Sequence, residues 1–144
     1  MNDLAVKAER LEVFGLQLAE EFPAVEIETE HHLHAGVYSR TIYVPKDTVV
    51  VGLTVKIPTQ LIACGHFVMT DGGVSKEFKG FHIFDGEAGR RAAVRAIENS
   101  AFTMLFHTSA KTVEEAENEF TDEPERLLTR KEKLLCQEQP LQLG

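Results

Sequence analysis

Residues 37–57 read VYSRTIYVPKDTVVVGLTVKI, and this stretch decides the fold class. It is rich in valine, isoleucine, threonine and tyrosine, whose side chains favour strands because they pack well on a pleated, half-buried surface. Pro45-Lys46-Asp47 interrupts the run with a turn, since the proline ring fixes φ at a value that turns use. The stretch therefore predicts two strands joined by a turn.

Further strands are predicted on both sides of this stretch. Before it, Val25, Ile27 and Thr29 alternate with glutamates, which is the period of a strand with one wet, acidic face at a sheet edge,. After it, Asp71-Gly72-Gly73 supplies the left-handed residues that a hairpin turn needs. Glycines then predict a loop-rich section over residues 80–89. The other expected strands cover 60–70, 74–78, 92–97 (where alanines leave a helix as the alternative) and 101–108.

Helical patterns frame this β-rich centre. Leucines recur every seven positions over residues 2–21, and Pro23 ends that predicted helix,. Thr112 begins a capping box for a second helix that runs to Phe120. Residues 121–124 offer another N-cap with a proline in the first turn. The helical period of this last predicted helix is carried by Leu127, Leu128, Lys131, Leu134 and Leu135.

Together these elements predict one structural domain of the mainly β class. About eight short strands separated by glycine and proline turns indicate an antiparallel barrel, jelly roll or sandwich. The N-terminal helix occupies residues 1–24, the barrel residues 25–109, and the C-terminal helices and tail residues 110–144. A chain of 144 residues is long enough to bury one core,.

The charge balance argues against a nucleic-acid partner. With 15 basic and 23 acidic residues the formal net charge is −8, and such a field repels phosphate backbones,. Arg90, Arg91 and Arg95 are the best candidates for a local basic patch that would override the average. Three arginines near one strand more often form a solvated face, so we expect no nucleic-acid binding.

Cysteine usage and hydropathy predict a cytoplasmic protein that does not enter a membrane. Cys64 and Cys136 lie far apart and do not form the framework of a secreted domain, so two reduced thiols are expected,. No secretory signal pattern precedes the first helix. No run of about 18 apolar residues occurs, as a transmembrane helix would require.

The glycine and proline residues at the turns around residues 37–57 form a further pattern. Residues 34–48 read HAGVYSRTIYVPKDT, with a Tyr-x-Arg strand before a proline turn. The matching glycine positions are Val51-Gly52, Gly65, Asp71-Gly72 and Gly89-Arg90-Arg91. This pattern, over roughly residues 28–119, resembles the small cupin-like proteins of tailed phages. The resemblance implies a double-stranded β-helix, often a homo-oligomer, with a bowl between two sheets that commonly holds a metal or a small ligand.

The sequence departs from that family where the metal ligands belong. After Gly52 the chain continues LTVKIPTQL over residues 53–61, without the histidines and glutamate that a typical cupin strand places in the bowl,. The residues after Gly89 also lack the later histidine of the family. We therefore predict no metal, no cofactor and no catalytic residue, and a metal-dependent enzyme is the weakest hypothesis. His31, His32 and His34 are interpreted mainly as loop or rim residues, and Cys64 with His66 as packing.

One group of side chains could bind a ligand in the bowl. Tyr38, Arg40 and Tyr43 combine aromatic surface with a fixed cationic fork, which suits an anionic or planar ligand,. The alternative is structural, because Tyr38 and Arg40 share a strand face that can pair with the acidic strand at residues 26–30.

Leucines on the terminal helices predict a homo-oligomer. Their apolar surface is larger than we expect one small barrel to cover. These side chains either cap the barrel's own faces or bury against another subunit, and identical chains most simply do the latter in a cyclic dimer. The candidate interface residues are Leu4, Leu11, Leu18, Leu127 and Leu134. The sequence thus favours a non-catalytic binding or assembly module that acts in the virion, or on a host factor in the host cytoplasm, with a phage structural protein or host protein as partner. The alternative is a small-molecule binding or sequestering protein that uses the bowl.

Overall fold

The computed structural model describes residues 3–23 and 25–127, and it shows a mainly β protein with a helix before and a helix after the strands. The helices are α1 (Asp3–Glu21) and α2 (Val113–Phe120), and a one-turn 3₁₀ helix covers Pro124–Arg126. The strands are β1 (Glu28–His34), β2 (Val37–Val44), β3 (Val49–Val51), β4 (Thr59–Thr70), β5 (Ser75–Gly86), β6 (Ala93–Ala96) and β7 (Ser100–His107). The predicted mainly β class with terminal helices is confirmed.

All seven strands belong to one antiparallel sheet, in the order β1-β2-β7-β4-β6-β3, with β5 paired to β4. Strand β4 has three partners. Residues 60–64 pair with β7 and residues 67–70 pair with β6, while β5 pairs along its whole length. Two partners therefore follow one another along the same edge of β4, and the sheet curls around this strand into a half-barrel.

The sheet turns its corner at two facing glycines. Gly65 lies between the two paired segments of β4, opposite Gly80 of β5, and both have positive φ angles, of 145° and 93°. A Cβ atom on Gly65 would overlap the side chain of Ser100, whose hydroxyl accepts a hydrogen bond from the backbone N–H of His66 at 3.2 Å. The corner thus needs glycine for its backbone angle and, at Gly65, for space.

The inner face of the curled sheet carries two apolar cores. In the first, the rings of Phe67 and Phe102 meet edge to face with centroids 4.8 Å apart, a geometry that the aromatic quadrupole favours. Its buried members are Val44, Ala63, Phe67, Val94, Ala96 and Phe102. The second core lies under α2 and consists of Tyr38, Phe106, Ala116, Phe120 and Leu127.

Local capping explains where α2 begins. The Thr112 hydroxyl accepts a hydrogen bond from the N–H of Glu115 at 3.1 Å, as the predicted capping box requires,. The Glu115 carboxylate reaches back to the N–H of Lys111 at 2.7 Å. The helix ends at Phe120, as expected from the sequence.

Ion pairs attach α1 to the sheet. The Lys7 ammonium lies 3.2 Å from Asp71 in the β4–β5 turn. Further along the helix, Glu12 pairs with the buried guanidinium of Arg91, which precedes β6. Loss of the Glu12 carboxylate would leave the buried Arg91 cation with Glu123 as its carboxylate partner at 3.7 Å, so the Glu12 contact helps to fix the position of α1,.

The structure corrects several sequence predictions. The strand expected from Val25 begins only at Glu28, and it extends through His34, so the three histidines lie on β1 rather than in a loop. Residues 80–86 are not a loop, because Gly80 and Gly86 are paired within β5. The described residues contain seven strands, close to the expected number of about eight. After the 3₁₀ turn the chain is described only to Leu127, so Leu128, Lys131, Leu134, Leu135, Cys136 and the predicted tail lie outside the described residues.

The glycine corner generates a matched pair of variants. Gly80→Ala should lower the free energy of unfolding by about 1–2 kcal/mol, because it strains the backbone while its Cβ meets open space,. Gly65→Ala should cost about 3 kcal/mol or more, because the clash with Ser100 adds to a similar strain,. Urea unfolding followed by circular dichroism measures both, and equal losses would show that the space at Gly65 is not limiting.

Candidate functional site

Four polar side chains meet on the inner face of the sheet, beneath α2. Tyr38 and Arg40 are alternate residues of β2 and point to the same side, and His31 lies directly opposite Arg40 on β1,. Glu117 reaches them from α2 and is only 1% exposed, while Tyr38 is fully buried. We call the inner face of β1, β2 and β7 beneath α2 the bowl, and these four residues the bowl cluster.

Two polar contacts hold the bowl cluster together. The Arg40 guanidinium (Nη1) lies 3.3 Å from a carboxylate oxygen of Glu117, and both side chains are largely shielded from solvent. The Tyr38 hydroxyl lies 2.7 Å from Nδ1 of His31. The Tyr38 ring is also stacked on Phe120 at 6.4 Å and meets Phe106 edge to face at 5.5 Å. The cluster is therefore part of the packed core beneath the helix.

Burial determines the protonation of the two aromatic members. Burial, helped by the nearby Arg40 cation, lowers the pKa of His31 below its ordinary value of 6.5,. Burial also raises the pKa of the Tyr38 phenol. At neutral pH the pair is thus an uncharged phenol and an uncharged imidazole, joined by the 2.7 Å hydrogen bond between the Tyr38 hydroxyl and Nδ1 of His31. The charges of the cluster are those of Arg40 and Glu117, which face each other.

The structure brings together two of the three predicted ligand-binding residues and separates the third. Tyr38 and Arg40 point inward, as a ligand group in the bowl requires. Tyr43 lies an odd number of residues away on β2, so it points to the outer face, where its hydroxyl donates to Glu30 at 2.7 Å,. Grouping Tyr43 with the other two was therefore wrong.

Sequence reasoning missed His31 and Glu117. The sequence indicates only a loop or rim position for His31, and its place opposite Arg40 follows from the register of β1 with β2. Glu117 did carry a signal, because it shares the helical stripe formed by Val113, Ala116 and Phe120. A carboxylate on an apolar helix stripe predicts a buried cationic partner.

A cleft opens on the outer face of the sheet, where Tyr43 lies. It has a volume of 560 Å³ and two glutamates, Glu26 and Glu28, at its wall. The exposed thiol of Cys64 also lines it. His66 shares this outer face, and its Nε2 lies 3.4 Å from a carboxylate oxygen of Glu77 on β5. The remaining lining residues are Val44, Pro45, Asn99, Ser100 and Ala101.

The three arginines near β6 do not form a common basic face. Arg90 donates to the hydroxyl of Thr59, and Arg91 is buried, with Glu12 and Glu123 as its carboxylate partners. Only Arg95 is exposed. The expectation of one solvated arginine face is wrong, because two of the three side chains tie separate parts of the fold together.

The predicted interface leucines are divided by the fold. Leu11 is 3% exposed and Leu127 is 7% exposed, so both are covered within a single chain. Leu4 and Leu18 keep part of their surface accessible. Leu134 lies outside the described residues. Leu11 and Leu127 therefore pack within one chain, which is the first of the two expected arrangements.

Two further findings concern metals and membranes. Within residues 3–23 and 25–127, no three histidine, cysteine, aspartate or glutamate side chains converge as a metal site. In the same part of the chain, no helix has the length and apolar character needed to cross a membrane.

Comparisons with known proteins give similarities at the level of structure. No protein-family model and no curated protein sequence matches the chain. It is similar to a cupin superfamily protein from Desulfitobacterium hafniense, with 12% identity and a TM-score of 0.48 over 64% of this chain and 88% of that one. It is also similar to an RmlC-like cupin with a double-stranded β-helix fold from Methanocaldococcus jannaschii, with 14% identity and a TM-score of 0.47 over 59% and 83%.

A third similar structure is the cupin domain of an XRE family transcriptional regulator from Enterobacter cloacae. The identity is 10% and the TM-score 0.48, over 58% of this chain and 98% of that chain. The curled antiparallel sheet with its helices is established by the strand pairing of this chain itself.

The buried ion pair of the bowl cluster generates a double-mutant cycle. Arg40→Met should lower the free energy of unfolding by about 3 kcal/mol, because it leaves Glu117 charged and buried. Arg40→Met with Glu117→Leu should lower the free energy of unfolding less than Arg40→Met alone, since the buried carboxylate is removed together with its Arg40 partner. Lys56→Met is the control. The Lys56 ammonium lies 2.8 Å from Asp122, and this ion pair is exposed to solvent, so the variant should lower the free energy of unfolding by less than about 1 kcal/mol,. Additive losses at Arg40 and Glu117 would contradict a coupled pair.

The lowered pKa of His31 makes stability depend on pH. The unfolded chain binds a proton at His31 near pH 6.5, while the folded chain binds it only at lower pH,. The contribution of His31 to the free energy of unfolding is therefore fully present above pH 6.5. It is lost as the pH falls from there through the pKa of His31 in the folded protein. His31→Gln should flatten the pH dependence of the unfolding free energy in that window,. An unaltered profile in His31→Gln would contradict the assignment.

Proposed function

We propose that this protein is a non-catalytic binding or assembly module that acts through its outer surface. The observation that carries the proposal is that α2 covers the bowl and pairs its own Glu117 with Arg40. A small-molecule or catalytic site needs space and free polar groups that converge on a ligand. In this chain the cation of the bowl already has a carboxylate partner.

The packing around that ion pair supports the same conclusion. Phe120 and Ala116 of α2 are buried against Tyr38 and Phe106 on the strands. Moving α2 would expose these aromatic rings to water, at a cost of about 25 cal/mol for each Å² of apolar surface. The helix therefore acts as a permanent part of the core, and recognition falls to the outer face and the edges of the sheet.

The proposal includes a homo-oligomer and a viral setting. Large apolar side chains remain exposed at several places on the chain, and an accessible apolar surface of this kind favours association,. Action in the virion, or on a host factor in the host cytoplasm, with a phage structural protein or a host protein as partner, follows from the sequence resemblance to phage cupin-like proteins.

One observation favours a second candidate function, which is the binding of a small anionic ligand. Arg40, Tyr38 and His31 converge on one point, and the carboxylate of Glu117 stands where the carboxylate of a ligand would be bound,. Helix α2 has eight residues, and helices this short depend on tertiary contacts for their stability,. A ligand that displaced Glu117 would need to compensate for the lost packing of α2.

Titration with small anions separates the two candidates. Acetate, citrate, inorganic phosphate and adenosine monophosphate, each at millimolar concentration, should leave the NMR signals of the His31 ring and of the α2 amides unchanged, because Glu117 occupies Arg40. Glu117→Gln provides the matched variant in which the guanidinium is released. Saturable shifts in the wild-type protein that disappear in Arg40→Met would overturn the surface proposal and support the small-molecule function.

A further inference from the structure

Strand β5 presents a long free edge. It spans twelve residues, and in the described part of the chain it pairs only with β4. Phe81 and Ile83 on this strand are 64% and 59% exposed. The Lys79 carbonyl on this strand lies 2.9 Å from Nε2 of His82. An edge that presents backbone N–H and C=O groups beside apolar side chains is a template for pairing with another strand.

The other two edges of the sheet differ from β5. Strand β3 has three residues, and β1 points four charged or titratable side chains outward. Its outward residues are Glu28, Glu30, His32 and His34. Charged residues and short length are the usual means by which natural sheets prevent edge pairing. Among the described strands, β5 is thus the long edge that lacks this protection at its centre.

The outward side chains of β5 form a self-complementary series, Lys79, Phe81, Ile83 and Asp85. We propose that β5 pairs antiparallel with β5 of a second copy of this chain, about a two-fold axis at His82. This deepens the proposed function and rests on it, since it names the surface and the partner. In this register Phe81 lies opposite Ile83 of the second copy, and Lys79 lies opposite Asp85 of the second copy.

Charge selects this register over its neighbours. Neither Lys79 nor Asp85 has an ion-pair partner in the described part of the chain, so both are available to a second copy. An axis at Phe81 would place Glu77 opposite Asp85, and opposed like charges on paired strands are destabilising. An axis at Ile83 would place Phe81 opposite Asp85. The axis at His82 is the arrangement that pairs opposite charges and apolar residues together.

The neighbouring strand extends the apolar surface. On β4, Ile62 lies opposite Ile83 and Cys64 lies opposite Phe81, all on the outer face. Pairing two copies through β5 would join two such patches into one continuous outer stripe. A two-fold axis uses the same strand on both copies, so the contact closes as a dimer and does not propagate into a fibre.

A charge swap tests the inference in the full-length protein. Wild type should sediment as a dimer at micromolar concentration. Lys79→Glu and Asp85→Lys should each raise the dimer dissociation constant about tenfold or more, because two opposite-charge pairs become like-charge pairs. The double variant Lys79→Glu/Asp85→Lys should recover wild-type dimerisation. Within one chain these two residues lie about 20 Å apart along the strand, so recovery must arise between copies.

Cross-linking gives a second readout that does not depend on affinity. In a background with Cys64→Ser and Cys136→Ser, His82→Cys should form a disulfide-linked dimer under mild oxidation, because residues on the axis face each other within disulfide range. Glu77→Cys is the matched control, since its copies would lie about 33 Å apart in this register and should not cross-link. Circular dichroism confirms that each variant is folded.

The outcomes distinguish this inference from the proposed function. A monomeric wild type, or a dimer that resists both charge changes and leaves His82→Cys unlinked, would overturn pairing through β5. A dimer that resists both charge changes would point to another surface, such as the exposed side of α1. Neither result alters the outcome of the anion titration, which tests the closed bowl independently.

Discussion

The structure depends on strand β4, which forms backbone hydrogen bonds with three other strands. Strand β4 pairs with β5 along one edge and with β7 and β6 in turn along the other. A flat strand cannot serve two successive neighbours that diverge, so the backbone bends where Gly65 and Gly80 face each other,. The bend brings the inner faces of the sheet around a common interior. The position of every inward side chain, including those of the bowl cluster, follows from that curvature.

Curvature also explains why the interior holds aromatic rings and one buried ion pair. A half-barrel leaves one side open, and α2 covers it with Ala116, Phe120 and Glu117. Because Arg40 lies on the inner face at this point, the helix must bring a carboxylate to it or leave a cation without a partner in a medium of low dielectric constant. The same helix thus provides apolar cover and electrostatic balance.

Much of the fold was predictable because local chemistry agrees with the tertiary structure. Strands β2 and β7, the turn after Thr70 and the start of α2 at Thr112 all follow from periodicity and turn residues. The errors fall where long-range geometry overrides local preference. The glycines in β5 indicate a loop from the sequence alone, because the role of Gly80 at the corner depends on its pairing with Gly65 on β4. Tyr38 and Arg40 were recognised as a pair by strand alternation, whereas Glu117 became their neighbour only through packing of α2.

The long-range pairing of β2 with β7 has a consequence for folding. Val37 pairs with His107, so β7, the partner of β2, is synthesised about 60 residues after β2 itself. The β1–β2 and β4–β5 hairpins join segments that are adjacent in sequence, and such local contacts form early,. During synthesis the edge of β2 that pairs with β7 therefore stays unpaired until the chain has emerged from the ribosome beyond β7. Folding of the whole sheet should be slow compared with hairpin formation, and the nascent chain should be most prone to aggregation in that interval.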